Sequence, residues 1–279
     1  MPRVRTLEQA AAFIDRVGIA LVFGKADVVL PSLFDEVCGA GADWAVRDEN
    51  GKATAFTPEF GRLWSWKDDL PDRRLVCAGR HLARDAAALI SRKLVPAVYA
   101  LTGRTGVPED FRELELTPLE LEVAEVVLAA GPLGAPELRR LLATDDKKGV
   151  DKAVKRLQRE AVLTNAGVSE QDAGWPAVRQ DVFARRWRAR LKGLPAEDKA
   201  RRTLAQTVLA AAGELSDADL AGALGWKKRE AAAALEDLEA RHLATAVQED
   251  GFRLWSPCAS DQRLRRRSSS RRRLGDATT

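Results

Sequence analysis

Apolar residues along the chain recur mainly at intervals of three and four, the spacing of amphipathic helices. The clearest pattern lies mid-chain. Val150, Val154, Leu157 and Ala161 form one apolar stripe, while Lys148, Lys152, Lys155, Arg156 and Arg159 fall on another side of the same helix. Ahead of it, L-G-A-P-E-L-R-R-L-L predicts a short helix with Pro136 near its first turn. Further upstream Thr117-Pro118-Leu119-Glu120 opens another helix, with a threonine cap, proline at the first position and an acid in the first turn. After the basic helix come a strand from Val162 to Val168, the loop S-E-Q-D-A-G and a return strand from Trp175 to Val182. Helix, short helix, basic helix and hairpin is the order of a winged helix-turn-helix, whose second paired helix enters the DNA major groove.

The order repeats downstream in element length rather than in letters. A helix runs from Ala196 to Ala212, a short one follows Ser216, a third spans Trp226 to Arg241, and Leu243 to Ser256 reads as a hairpin turned at E-D-G. Lys227, Lys228 and Arg229 open that third helix, where base contacts are made. Glu236, Asp237 and Glu239 make its later turns acidic. The first unit is therefore read as the DNA reader, and the second as partly structural, with a surface for a protein partner. Between them Val182 to Leu194 predicts an amphipathic helix, with Phe183, Trp187, Leu191 and Leu194 inward and Arg185, Arg186, Arg188, Arg190 and Lys192 around the rest.

The N-terminal part is less periodic. Thr6 to Arg16 predicts a helix, Ile19 to Phe23 a strand or buried connection, and a helix starts at Pro31 and closes at Gly39 and Gly41. Asp43 to Arg80 is the least regular stretch; it holds a D-E-N-G hairpin turn and the aromatics Trp44, Phe56, Phe60, Trp64 and Trp66. Leu75 to Gly79 reads as a strand, and Ser91 to Leu101 as a helix kinked at Pro96 or entered late. The predicted fold is mainly α with short β-hairpins (α+β): an N-terminal α+β domain with the Trp-rich block over 1–110, the first winged helix with its basic linker helix over 111–194, a second winged helix over 195–260 and a disordered Arg-rich tail over 261–279.

Charge has to be divided before it informs. The chain of 279 residues carries +4, but seven arginines against two aspartates in 261–279 leave Met1 to Ser260 at −1. Nucleic-acid affinity must then come from local patches rather than a global field. The tail's L-R-R-R-S-S-S-R-R-R run suits either phosphate binding or simple solubilisation. No apolar run reaches the ~18 residues of a membrane span, and the N-terminus lacks a signal-peptide core, which points to a cytoplasmic, nucleoid-associated protein. Cys38, Cys77 and Cys258 are too dispersed for a zinc site, so no metal is expected. Phosphate-loop, dinucleotide and nucleophile-elbow motifs are all lacking. His81, next to Arg80 and Arg84, reads as exposed or capped.

The block W-S-W-K-D-D-L-P (Trp64 to Pro71), the phrase L-P-S-L-F-D-E-V-C-G (Leu30 to Gly39) and the helix D-K-A-V-K-R-L-Q-R-E (Asp151 to Glu160) resemble bacterial AlkZ-related proteins. These are distant relatives of winged-helix DNA glycosylases that excise alkylated bases and unhook interstrand crosslinks. The resemblance implies tandem winged helices, a DNA-repair context, double-stranded DNA as partner and no metal or organic cofactor. The glycosylases carry a Gln-x-Gln or Gln-x-Asp tract, which this sequence lacks, so their catalytic residues do not transfer and enzymatic activity is left open. Trp66, Asp68 and Asp69 are the candidate catalytic residues: a carboxylate stabilises a cation-like sugar and an aromatic, here also Trp64, holds an extruded base. The alternative is that both tryptophans pack in a core while the aspartates cap a helix or pair with Arg73 or Arg74. Two other functions fit the same elements: a winged-helix transcriptional regulator, and a tandem winged-helix adaptor that binds proteins.

Overall fold

A capping threonine and a glycine bound the first helix of the chain. The computed structural model describes residues 4–83, 86–169, 176–249 and 252–258. The Thr6 hydroxyl accepts from the Gln9 N–H and starts α1 (Leu7–Val17), which Gly18 ends at φ 81°. A Cβ on Gly18 would lie 2.2 Å from Thr207 Cγ2, so this turn needs glycine for its backbone and for the helix packed over it. Next come β1 (Ile19–Leu21), α2 (Leu33–Val37), β2 (Ala45–Arg47), β3 (Ala53–Phe56), α3 (Pro58–Asp72), β4 (Val76–Gly79), β5 (Ala88–Ser91) and α4 (Val95–Ala100). β2 and β3 are the hairpin turned at D-E-N-G. The sheet β1-β5-β4 is antiparallel and buried on both faces. Ile19, Leu21, Cys77, Ala88 and Ile90 face one cluster, and Ala20, Val76, Ala78 and Leu89 the other, the period-2 alternation of a strand. α1, α2 and α3 cover the second face.

The middle of the chain runs α5 (Pro118–Ala130), β6 (Leu133–Gly134), α6 (Ala135–Leu141), α7 (Lys147–Arg159), β7 (Leu163–Ser169) and β8 (Ala177–Val182). β6, β8 and β7 form a three-stranded antiparallel sheet in that order. Val123, Val127, Leu138, Val150, Leu157 and Leu163 are its core, with Phe111 from the preceding 3-10 turn. Trp175 and the hairpin tip lie outside the described residues. After the short α8 (Phe183–Arg186) the order recurs as α9 (Glu197–Ala212), β9 (Leu215–Ser216), α10 (Asp217–Leu224), α11 (Lys228–Ala240), β10 (Ala244–Glu249) and β11 (Phe252–Pro257). The fold is thus mixed α+β, rich in helix, with short antiparallel sheets. α9 packs on α4 and α1, and one buried cluster joins the first face of β1-β5-β4 to Leu204, Val208, Leu220, Leu235 and Trp255. Among the described residues no helix is long and apolar enough to cross a membrane. The tail 261–279 lies outside the described residues.

Four expectations from the sequence need correction. The stretch read as irregular holds the 15-residue α3, started by the Thr57 cap and Pro58. Pro31 stands outside α2, whose cap is Ser32. Residues 88–91 form a strand, and α4 begins only at Val95 with Pro96 in its first turn, the late entry rather than the kink. The amphipathic helix after Val182 shrinks to Phe183–Arg186, and Arg186, expected outside, turns inward and is 8% exposed.

Candidate functional site

α7 begins where the Asp146 carboxylate accepts the Gly149 N–H at 2.9 Å. Val150, Ala153 and Leu157 anchor one side in the core. At 100° per residue, Lys148, Lys152, Lys155 and Arg159 fall within about 60° of arc on the opposite side. All four are exposed. Among the described residues no acid pairs with Lys148, Lys152 or Lys155, whereas Arg156 is held by Glu160 at 2.9 Å. Of the predicted stripe, Lys148, Lys152 and Lys155 are thus exposed to solvent and without an acid partner among the described residues.

The far end of α7 is fixed from three directions. The Gln158 side chain accepts from the Arg80 N–H at 3.1 Å and donates to Gln180 Oε1 at 2.7 Å. The Gln158 carbonyl meets His81 Nδ1 at 2.6 Å. Arg104 donates to the Glu160 carbonyl and is itself paired to buried Asp110 at 3.0 Å. Two glutamines that stand alone in sequence thus meet in space, but in the interior. Of the two expectations for His81, exposed or capped, the exposed one fails: it packs edge-on against Phe183 at 5.0 Å, and burial pushes its pKa from 6.5 down to about 4. A folded-state pKa below the unfolded one means that stability present above pH 6.5 is lost as pH falls toward 4, at most about 3 kcal/mol. His81→Gln, which keeps a donor for the Gln158 carbonyl, is expected to flatten this acid limb in melting temperature measured from pH 7 to 4.5. An unaltered limb would remove His81 as its source.

Three arginines, among them Arg185 and Arg186 that the sequence placed on the outside of a helix, cap helix C-termini, where four carbonyls lack partners. Besides Arg104 on α7, Arg185 donates to Leu128 and Val127 carbonyls on α5 at 2.6 and 3.0 Å. Arg186 donates to Pro71 and Asp72 carbonyls on α3. With Arg179 paired to Asp72 at 2.7 Å, this ties α3 to the hairpin beside α7. The only available signal was arginine between buried apolar residues, as with Ala184 and Trp187 around Arg186.

The Trp-rich block divides between two faces of α3. Leu63, Trp66 and Leu70 are core, so Trp66 packs inward. Phe60 and Trp64 face a cavity of about 800 Å3, lined also by Phe23, Phe34, Trp44 and Phe56 with Gly24, Lys25 and Asp35. Asp68, one turn after Trp64, pairs with Lys67 at 2.5 Å, and Lys67 Nζ sits 4.3 Å from the Trp64 ring centre. Asp69 is half-buried, a further ~100° round the helix, and its carbonyl accepts the Arg73 N–H. Asp68 and Trp64 are brought together; Trp66 is not part of that group.

On α11 Lys227, Lys228 and Arg229 are exposed at the N-terminal end. The acids of its later turns are paired: Glu236 and Glu239 with Arg253 at 3.0 and 3.2 Å, and Asp237 with Arg241 and Arg202 at 2.8 and 3.1 Å.

A family model described as AlkZ related matches residues 4–225. Among solved structures, the chain is similar to the Streptomyces sahachiroi DNA glycosylase AlkZ, with a TM-score of 0.54 and 17% identity over 94% of this chain and 67% of that one. At that identity the likeness is one of fold. No curated protein matches the chain. The family model takes in α1 through α10, that is the aromatic cavity, the basic helix and the start of the second unit, and the protein belongs to the AlkZ-related family.

Proposed function

We propose that the protein binds double-stranded DNA through α7 and works in the repair of alkylated or crosslinked DNA. The observation that carries this reading is the stripe of Lys148, Lys152 and Lys155, exposed and without acid partners among the described residues, on the third helix of a winged-helix order. Cations free of acids release counterions from DNA when they meet phosphate, which drives sequence-independent binding. Arg159 lies on the same strip and Arg156 beside it, and Lys227, Lys228 and Arg229 offer a weaker second contact from the start of α11. Family membership and the fold shared with a DNA glycosylase support the repair context. We divide the chain as the sequence suggested, at 1–110, 111–194, 195–260 and 261–279, with the second unit open to a protein partner.

Of the candidate catalytic residues, Asp68 is the better placed, beside Trp64 and within one turn of the aromatic cavity; Asp69 is second, and the buried Trp66 supports the helix that carries both. The test has two readouts on one substrate. Plain duplex and duplex carrying a positively charged alkylpurine are compared for affinity and for abasic sites. The reading expects binding to both with preference for the alkylated duplex. Base release that disappears in Asp68→Asn/Asp69→Asn assigns the carboxylates, release that survives removes them, and no release leaves recognition without cleavage. Preference for one undamaged sequence would favour a transcriptional regulator instead.

A further inference from the structure

Phe23, Trp44 and Phe56 come from three separate segments, yet surround one cavity and leave 42%, 42% and 41% of their surface in solvent. Rings of this size are rarely left together in water without a partner to cover them. Behind them Phe60 is the shared floor, stacked on Phe23 at 6.0 Å and on Trp64 at 5.9 Å, and edge-on to Phe56 at 4.8 Å. At about 800 Å3 the cavity lies in the range of small-molecule sites and is far larger than one ring needs. Its fixed acceptor is Asp35, whose carboxylate takes the Ser32 hydroxyl at 2.6 Å and so keeps its position.

We propose that this cavity binds a flat, fused-ring heteroaromatic molecule of about three rings, seated against the edge-on pair Trp44 and Phe56, whose ring centres lie 5.8 Å apart, with a ring N–H or amino group on Asp35. Ring faces attract flat and cationic groups, whereas a saturated molecule of equal size gains no stacking. Such a ring system is either a free small molecule or a bulky adduct carried on a DNA base. The proposal is independent of the DNA-binding role of α7.

The test is a titration of the full chain with 9-aminoacridine, a flat cationic tricycle, followed by its fluorescence anisotropy, with dicyclohexylamine as the saturated competitor. Saturable one-to-one binding is expected, not displaced by dicyclohexylamine. It should weaken at least tenfold in Trp44→Ala/Phe56→Ala and several-fold in Asp35→Asn, each compared at a temperature well below its own melting point. Lys148→Ala/Lys152→Ala/Lys155→Ala should leave it unchanged. A second arm compares plain duplex with duplex carrying the same acridine tethered to one base: tighter binding that is lost in Trp44→Ala/Phe56→Ala identifies the adduct as the source, and dye binding without that gain identifies a free molecule. Absence of saturable binding in both arms, or wild-type affinity in the double variant, would overturn the proposal.

Discussion

Replacing Lys148, Lys152 and Lys155 together by alanine is expected to weaken duplex binding by roughly 10²–10³-fold at 0.1 M salt. The slope of log affinity against log salt should fall by about 2.7, since each phosphate contact contributes about 0.9. The reasoning is geometric. The three side chains share one exposed strip, whereas the opposite side of α7 carries Val150, Ala153 and Leu157 into the core. Alanine is the best helix former, and none of the three lysines is buried or ion-paired among the described residues, so the melting temperature should hold. Alanine at the exposed Lys52 and Lys199 is the control and should change the slope little. Gel-shift or anisotropy titrations between 50 and 300 mM salt read both quantities.

Asp110→Ala is expected to destabilise the protein by about 3–5 kcal/mol, lowering the melting temperature by on the order of 10 °C. Asp110 is 3% exposed and collects the Arg104 guanidinium, the Tyr99 hydroxyl at 2.8 Å and the Gly106 N–H at 2.7 Å. Removing it leaves a buried cation and a buried hydroxyl without their acceptor. Burial already holds the Tyr99 phenol well above its usual range, so ionisation there offers no relief. Because Arg104 also caps α7, duplex affinity should fall with stability in this variant, although Asp110 is buried and cannot touch DNA. Calorimetry and the same titration check both effects. A melting temperature within a degree or two of wild type would show that the pair is not holding α7.

The basic helix was legible because two signals coincide: apolar residues every three or four positions and cations between them. The same logic failed on α3, although Thr57-Pro58-Glu59 repeats the threonine, proline and acid start that made α5 plain. Gly61 and Pro71, poor helix residues, and a crowd of aromatics obscured it; the helix survives because Phe60, Leu63, Trp66 and Leu70 bury one side and Arg186 satisfies its last carbonyls. The aromatic cavity was unreadable for a different reason. Phe23 follows β1, Trp44 precedes β2 and Phe56 ends β3, and only the folded chain brings them around Phe60. Likewise Arg186 looked like one more solvent-facing cation of an amphipathic helix, since nothing local tells that its partners are carbonyls 115 residues earlier.

Lysine-reactive footprinting of the full chain with and without duplex tests the central claim most directly. Protection of Lys148, Lys152 and Lys155 by DNA, with Lys52 and Lys199 still reacting, is the predicted pattern. Equal labelling of all five at saturating duplex would contradict an α7-centred contact.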